Sequence, residues 1–172
     1  ALKLGWLFQA ARVLHANAYV LYRNGQYRLA EGQYEKALTI QERRGDAGAV
    51  ALTLHNLGNV QKGLGQLRKA EHYYRRALAL REQDGQPADI AASLIDLAAL
   101  QLSLGDLRYA RMLYRRGIEQ AERAEQYTWL ANALEGYAHV LSEDGAPARA
   151  REHHERALRL REKLGDRLAV AS

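Results

Sequence analysis

Several residue types are scarce or absent in this sequence of 172 residues, and each absence limits what the chain can be. Cysteine is missing, which excludes a disulfide framework and a metal site built on thiolates. Only two prolines and one phenylalanine are present, so little interrupts helices or favours β-strands. No apolar run approaches the roughly 18 residues that a membrane-spanning helix needs. The composition therefore favours an all-α protein with no membrane segment, and we take the cytoplasm as its default location.

Basic residues outnumber acidic ones, 25 to 20, which gives a formal net charge of +5. A basic surface is therefore possible, although net charge alone establishes no nucleic-acid role. The opening residues, ALKLGWLFQAARV, lack an initiator methionine and the cationic-then-apolar layout of a signal peptide. We expect an internal piece of a longer protein.

The phrase LGQLRKAEHYYRRALALRE, which begins at Leu64, recurs in four copies at a period of 40 residues without insertion. Glycine coincides at positions 25, 65, 105 and 145, and an aromatic residue or histidine at 34, 74, 114 and 154. Between these copies a second phrase recurs, with leucine at 14, 54, 94 and 134. Each repeat therefore holds two segments.

Both segments show helical spacing of apolar residues. Leu54, Leu57 and Gly58 fall on one arc of the first segment, and Leu67, Ala70 and Tyr74 on one arc of the second. Tyr34, Tyr74 and Tyr114 share one repeat position and are predicted to face inward and pack between the helices of a pair. The glycines between segments favour helix ends, and a further break is expected at Gly165. The predicted helices span about 8–23, 27–44, 48–64, 67–84, 88–104, 107–125, 128–143 and 147–164.

The spacing Leu54-x-x-Leu57-Gly58, followed by Ala70-x-x-x-Tyr74-x-x-Ala77, resembles the tetratricopeptide repeat family. The 40-residue period is similar to the longer repeats of kinesin light chain, LGN-type adaptors and the sensor arrays of bacterial STAND signalling ATPases. The resemblance implies an all-α, right-handed α-solenoid of antiparallel helix pairs.

We expect a single solenoid domain over residues 1–172, with repeats near 8–45, 48–85, 88–125 and 128–165. Residues 1–5 and 168–172 align with parts of further repeats, so the chain is predicted to be a fragment of a longer array. Apolar residues at its start would then lack a covering repeat, which predicts self-association through exposed ends. They are Leu2, Leu4, Trp6, Leu7 and Phe8.

Catalytic and metal-binding patterns are not found in the sequence. His153 and His154 point about 100° apart on a helix, and His15 and His55 lie one repeat apart, so neither pair can share an ion. No P-loop, dinucleotide fingerprint, HExxH motif or serine elbow occurs, so we expect no enzyme activity and no cofactor.

Arginines recur in register at positions 28, 68 and 108, and in pairs at 75–76 and 115–116. Glu71, Glu152 and Glu155 each precede an arginine by four residues, which favours a solvated helix face with local ion pairs. An anionic protein partner and nucleic acid are the lesser alternatives, and nucleic acid is unlikely on this balance.

The resemblance implies a protein-interaction scaffold, because in this family the first helices line a concave groove that binds peptides. The groove positions predicted for the four repeats are Arg12, His15, Tyr19, Tyr22 and Arg23; His55, Asn56, Asn59 and Lys62; Ile95, Asp96, Ala99 and Leu102; and Asn132, Glu135, His139 and Glu143. The corresponding ligand is a protein segment with acidic residues toward repeat 1. Its apolar anchor lies over Ile95 and Leu102, and a basic residue lies near Glu135 and Glu143. The alternatives are an effector-sensing or self-associating array of a STAND-type ATPase or transcription regulator, and, less favoured, a nucleic-acid-binding solenoid.

Overall fold

The structure, a computed structural model, describes the backbone of residues 2–170 and the side chains of residue 6 and residues 9–165. Within these residues the chain forms eight α-helices and no β-strand. The helices are α1 (Leu2–Arg23), α2 (Tyr27–Arg44), α3 (Ala47–Gly63), α4 (Leu67–Asp84), α5 (Pro87–Ser103), α6 (Leu107–Arg123), α7 (Tyr127–Glu143) and α8 (Pro147–Val170). The predicted all-α repeat of helix pairs is confirmed.

The internal helix ends agree with the predicted ones to within two residues, but the two outer ends differ. Helix α1 begins at Leu2 rather than near residue 8, and α8 continues to Val170. The break predicted at Gly165 is therefore wrong, and Gly5 also lies inside a helix. Glycine permits a left-handed turn without enforcing it, so the break depends on how the following segment packs.

The turn between α3 and α4 shows how a glycine ends a helix in this chain. Gly65 has φ of +73°, its amide donates to the carbonyl of Lys62 at 3.0 Å, and Gln66 donates to that of Gln61 at 2.8 Å. This pattern satisfies carbonyls that the helix end leaves open. The turn between α6 and α7 differs because Glu125, not glycine, adopts the positive φ, +53°.

The chain divides into two compact units, residues 1–84 and 85–172. In unit 1, α1 packs on α2, α3 packs on α4, and α2 lies against α3. Its core includes Leu54, Leu57 and two fully buried tyrosines, Tyr34 and Tyr74. These two tyrosines therefore take the inward position that the repeat pattern predicts.

In unit 2, α5 packs on α6, α7 packs on α8, and α6 and α5 each contact α7. One predicted groove residue belongs to this core instead, since the side chain of Ile95 is only 5% exposed. The reason is Gly117 on α6, where the other repeats have alanine. A Cβ atom at Gly117 would lie 3.0 Å from Cγ1 of Ile95, so the isoleucine occupies the space that the glycine leaves. The prediction that Ile95 forms part of an open apolar floor is wrong.

Most of the apolar residues predicted at the start of the chain cannot be compared with the structure. The side chains of Leu2, Leu4, Leu7 and Phe8 lie outside the described residues. Trp6 is described and is 81% exposed. Among the described residues, no helix combines the length and the apolar character required to cross a membrane.

Candidate peptide-binding faces

Each unit has one face that carries predicted binding residues of its first helices. The unit 1 face consists of Arg12, His15, Tyr19, Tyr22 and Arg23 on α1 with His55, Asn56, Asn59 and Lys62 on α3. The unit 2 face consists of Asp96, Ala99 and Leu102 on α5 with Asn132, Glu135, His139 and Glu143 on α7. The two faces are described separately below.

His15 joins the two helices of the unit 1 face. The side-chain amide of Asn56 lies 3.2 Å from Nε2 of His15, and Nδ1 lies 3.0 Å from the hydroxyl of Thr53. Since the Asn56 amide nitrogen donates, Nε2 accepts and the proton is on Nδ1, which donates to Thr53. Burial lowers the pKa of His15. The imidazole is therefore neutral at pH 7 and positions α3 against α1 rather than offering charge to a ligand.

Asn59 is held by a tyrosine of the core. The hydroxyl of Tyr74 donates to Oδ1 of Asn59 at 2.6 Å, and Asn59 remains half-buried on the surface of α3. With its carbonyl oxygen engaged, the amide still has two N–H groups to donate. Asn59 is therefore oriented as a donor toward any backbone carbonyl that approaches the unit 1 face.

The hydroxyl of Tyr34 lies at the equivalent position of repeat 1 but has no hydrogen-bond partner among the described residues. Burial, first, and then the neighbouring Tyr19 and Tyr22 raise the pKa of Tyr34 to about 12. The phenol is therefore protonated at neutral pH. A buried donor without an acceptor is costly in a folded protein, and this one lies beneath the unit 1 face, close to Tyr19 and Tyr22.

The positive charges of the unit 1 face lie at its edges. Arg12, Arg23 and Lys62 are exposed, and Arg23 donates to the hydroxyl of Tyr19 at 3.1 Å. The middle of the face, around Asn56 and Asn59, is polar and uncharged.

On the unit 2 face, Arg161 of the chain itself pairs with Glu135, the carboxylate near which the sequence predicts a basic residue of the ligand. Arg161 on α8 donates from both guanidinium ends to Glu135 and also reaches Oδ1 of Asn132 at 3.2 Å. The exposed fractions of the two side chains are 46% for Arg161 and 40% for Glu135. The prediction that Glu135 binds a basic residue of a ligand is therefore wrong, because its carboxylate already accepts two hydrogen bonds from Arg161.

Asp96 lies half-buried near the middle of α5. Burial, first, and then the carboxylate of Asp96 raise the pKa of Tyr114 to about 12, so this phenol stays protonated. Ala99, one turn further along α5, is half-buried and adds no polar group.

Three predicted residues of the unit 2 face converge on one open cavity of about 540 Å³. Leu102 comes from the end of α5, and His139 and Glu143 come from the last turns of α7. The cavity is completed by Ser103, Gly105 and Leu107. Two leucines thus form an apolar floor, and an imidazole and a carboxylate lie at its rim, which is the composition of a site for one side chain of a partner.

Other residues that shape these faces were not singled out from the sequence. Thr53 hydrogen-bonds to His15, 38 positions away, and Arg161 hydrogen-bonds to Glu135, 26 positions away. Only Tyr34 could have been found from the sequence, because it places a polar hydroxyl at a core position of the repeat. Among the described residues, no group of three or more histidine or acidic side chains could hold a metal ion.

The chain was compared with known families and structures. The model of the family described as Tetratricopeptide repeat matches residues 9–83 and 89–163. A comparison with curated protein sequences finds no match.

Three solved structures illustrate the similarity. BtubC (BKLC) from P. vanneervenii is 25% identical, with a TM-score of 0.83 over 92% of this chain and 70% of that one. Aspartyl phosphate phosphatase F from Bacillus subtilis is 17% identical, with a TM-score of 0.86 over 92% of this chain and only 42% of the phosphatase. The kinesin light chain TPR-like repeats from Podosopora anserina are 18% identical, with a TM-score of 0.72 over 90% of this chain and 76% of that one. The last two likenesses show the fold alone.

Proposed function

Because the chain belongs to the tetratricopeptide repeat family, we propose that it is a protein-interaction scaffold that binds an extended segment of a partner protein. Binding is stoichiometric, and no chemical step takes place. The location proposed for this activity is the cytoplasm.

The observation that carries this proposal is the cavity on the unit 2 face. Residue 102 is distant in sequence from residues 139 and 143, yet the three surround one opening with an apolar floor and a polar rim. An aliphatic side chain of the partner fits the floor formed by Leu102 and Leu107, and a lysine or arginine beside it would pair with Glu143. The proposed ligand of this cavity is therefore an apolar residue next to a basic one.

The unit 1 face supports binding of a polypeptide backbone. The amide of Asn59 is half-buried at this face and is oriented by Tyr74. Its N–H groups donate, and the carbonyls of an extended peptide accept.

A peptide-display selection on the chain tests the proposal. We expect the recovered peptides to contain an aliphatic residue adjacent to lysine or arginine, and Leu102→Asp to abolish their binding. Leu158→Asp is the matched control, because Leu158 is an exposed leucine, 58% accessible, on α8 of the same unit. Asn59→Asp tests unit 1, since the carboxylate still accepts from Tyr74 but cannot donate.

Glu143→Gln should relax the preference for a basic residue and leave the apolar one intact. Equal loss of binding in Leu102→Asp and Leu158→Asp, with unchanged helicity in both, would contradict the assignment of the cavity.

We also propose self-association through the outer face of α1, which specific exposures favour. Val13 and Val20 are 58% and 56% exposed. At the position of Val13 the other repeats have Thr53, Ser93 and Ala133, and at the position of Val20 they have Val60, Leu100 and Val140. All six residues are at most 1% exposed. A face that is buried in three repeats and open in the first is suited to dock another helix pair.

Sedimentation at increasing concentration tests this second candidate. We expect association that Val13→Lys with Val20→Lys removes without loss of helicity. Monomeric behaviour of the unmodified chain at high concentration would contradict it.

An effector-sensing array in a signalling ATPase or regulator would use the same faces. It is distinguished by a preference for a small molecule or a second copy over every displayed peptide.

A further inference from the structure

The exposed side of α6 carries arginines that lack the internal carboxylate present in the preceding repeat. In repeat 2, Glu71 on α4 accepts from Arg68 at 3.1 Å and from Arg75 at 2.8 Å. The Glu71 side chain is 8% exposed and lies between the two guanidinium groups. This carboxylate compensates the charge of two arginines locally.

One repeat later, the position of Glu71 is taken by a third arginine, Arg111. Arg111 has its own partner, Asp144, at 2.5 Å. Arg108 and Arg115, which correspond to Arg68 and Arg75, are exposed and make no ion pair with any described residue. Replacement of one glutamate by arginine therefore leaves two guanidinium groups without an ion-pair partner in the described part of the chain.

These side chains surround a surface depression of about 290 Å³, which we call the arginine cleft. Its lining residues all belong to α6 and are Arg108, Arg111, Met112, Arg115, Arg116 and Glu119. Met112, 46% exposed, lies between Arg108 and Arg115 in the sequence of the helix. The cleft is thus an apolar centre with guanidinium groups on either side.

We propose that the arginine cleft is a second docking surface, and that it binds an acidic protein segment in which an apolar side chain is flanked by carboxylates. The apolar side chain contacts Met112, whose flexible thioether accommodates varied shapes. The flanking carboxylates accept from Arg108 and Arg115, whose planar guanidinium groups match carboxylate geometry.

The observations favour an acidic protein segment over nucleic acid. A nucleic-acid backbone needs a continuous series of cationic contacts. Here Glu119 lines one end of the cleft, and beyond it Glu122 accepts from Arg156 at 2.5 Å. Carboxylates therefore interrupt the positive surface within one helix length, and the exposed methionine at its centre suits an apolar side chain better than a phosphate.

The arginine cleft is independent of the unit 2 face. The two sites share no lining residue, and only Leu107 of the cavity lies on the helix that forms the cleft. It also selects the opposite charge, since the cavity presents a carboxylate and the cleft presents guanidinium groups.

Fluorescence anisotropy with a labelled peptide, one leucine flanked by aspartate and glutamate residues, tests the proposal. Met112→Glu is the informative variant, because residue 112 is four positions after Arg108 and three before Arg115. It supplies an internal carboxylate, as Glu71 does in repeat 2. Met112→Gln, of nearly equal size and no charge, is the matched control. Arg149→Gln on α8 lowers the net charge by the same one unit outside the cleft, so it controls for the change in net charge.

We expect Met112→Glu to weaken binding about tenfold, the loss expected when two exposed ion pairs are removed. Met112→Gln and Arg149→Gln should each change affinity less than about threefold. Leu102→Asp should leave this binding unchanged, which separates failure of the cleft from failure of the cavity.

Three results would overturn the proposal. One is absence of binding by the unmodified chain, and another is equal loss in Met112→Glu and Arg149→Gln. The third is tighter binding of a single-stranded oligonucleotide that Met112→Glu abolishes, which would assign the cleft to nucleic acid.

Discussion

Tyr34 and Tyr74 occupy the same repeat position and are both fully buried, yet within the described residues only the hydroxyl of Tyr74 has a hydrogen-bond partner. The perturbation is removal of each hydroxyl, by Tyr34→Phe and by Tyr74→Phe. The ring and its packing are retained in both variants. Any difference between them therefore reports the hydroxyl alone.

The two changes should have opposite signs. Tyr74→Phe removes the 2.6 Å bond to Asn59, and a hydrogen bond of this kind contributes about 1 kcal/mol. Tyr34→Phe removes a buried donor that has no acceptor among the described residues, and relief of its desolvation is worth about 1 kcal/mol or more. We expect the free energies of unfolding of the two variants to differ by about 2 kcal/mol.

Urea unfolding followed by circular dichroism measures this difference, and both substitutions lie in unit 1, so the same unit is compared. Equal destabilisation by the two variants would refute the reasoning, because it would show that the Tyr34 hydroxyl is satisfied in the folded state.

Three further predictions concern stability. Gly58→Ala should destabilise the fold by about 1–3 kcal/mol, because the new Cβ atom would lie 2.5 Å from the ring of Tyr74. Gly32→Ala should stabilise it by about 0.5–1 kcal/mol, because a Cβ atom there would have nothing within 4 Å. Similar stabilisation by both variants would contradict this prediction. Glu125→Gly should raise the free energy of unfolding by about 1 kcal/mol, since it relieves a positive φ of +53°, and no gain in urea unfolding would count against strain there. The pKa of His15 is lowered in the fold, so its contribution to stability is present above pH 6.5, the ordinary value, and is lost as pH falls through the folded pKa. Urea unfolding across this range should show a slope that His15→Gln reduces, and an unchanged slope would show that His15 is not its source.

The sequence determined the helix pairs and their period. Apolar residues at helical spacing define which face of each segment is buried, and glycines such as Gly65 mark the ends of most internal helices, α6 being the exception. Both signals are local, since they depend on backbone geometry and on the burial of one face. The predicted internal boundaries, the inward tyrosines and the all-α repeat follow from them.

Tertiary packing decided the features that depend on residues far apart in the chain. Ile95 is buried because Gly117 on another helix leaves it space, and Glu135 is paired because Arg161 reaches it from α8. The structure also separates a glycine that follows a helix end, Gly65, from one that lies inside a helix, Gly165. A repeat pattern gives the position of each residue in its helix pair, but the partner of that residue is set by side-chain volumes and charges on a neighbouring helix. For this reason the sequence could place candidate residues on a face, whereas the structure was needed to separate those that remain open from those already satisfied within the chain.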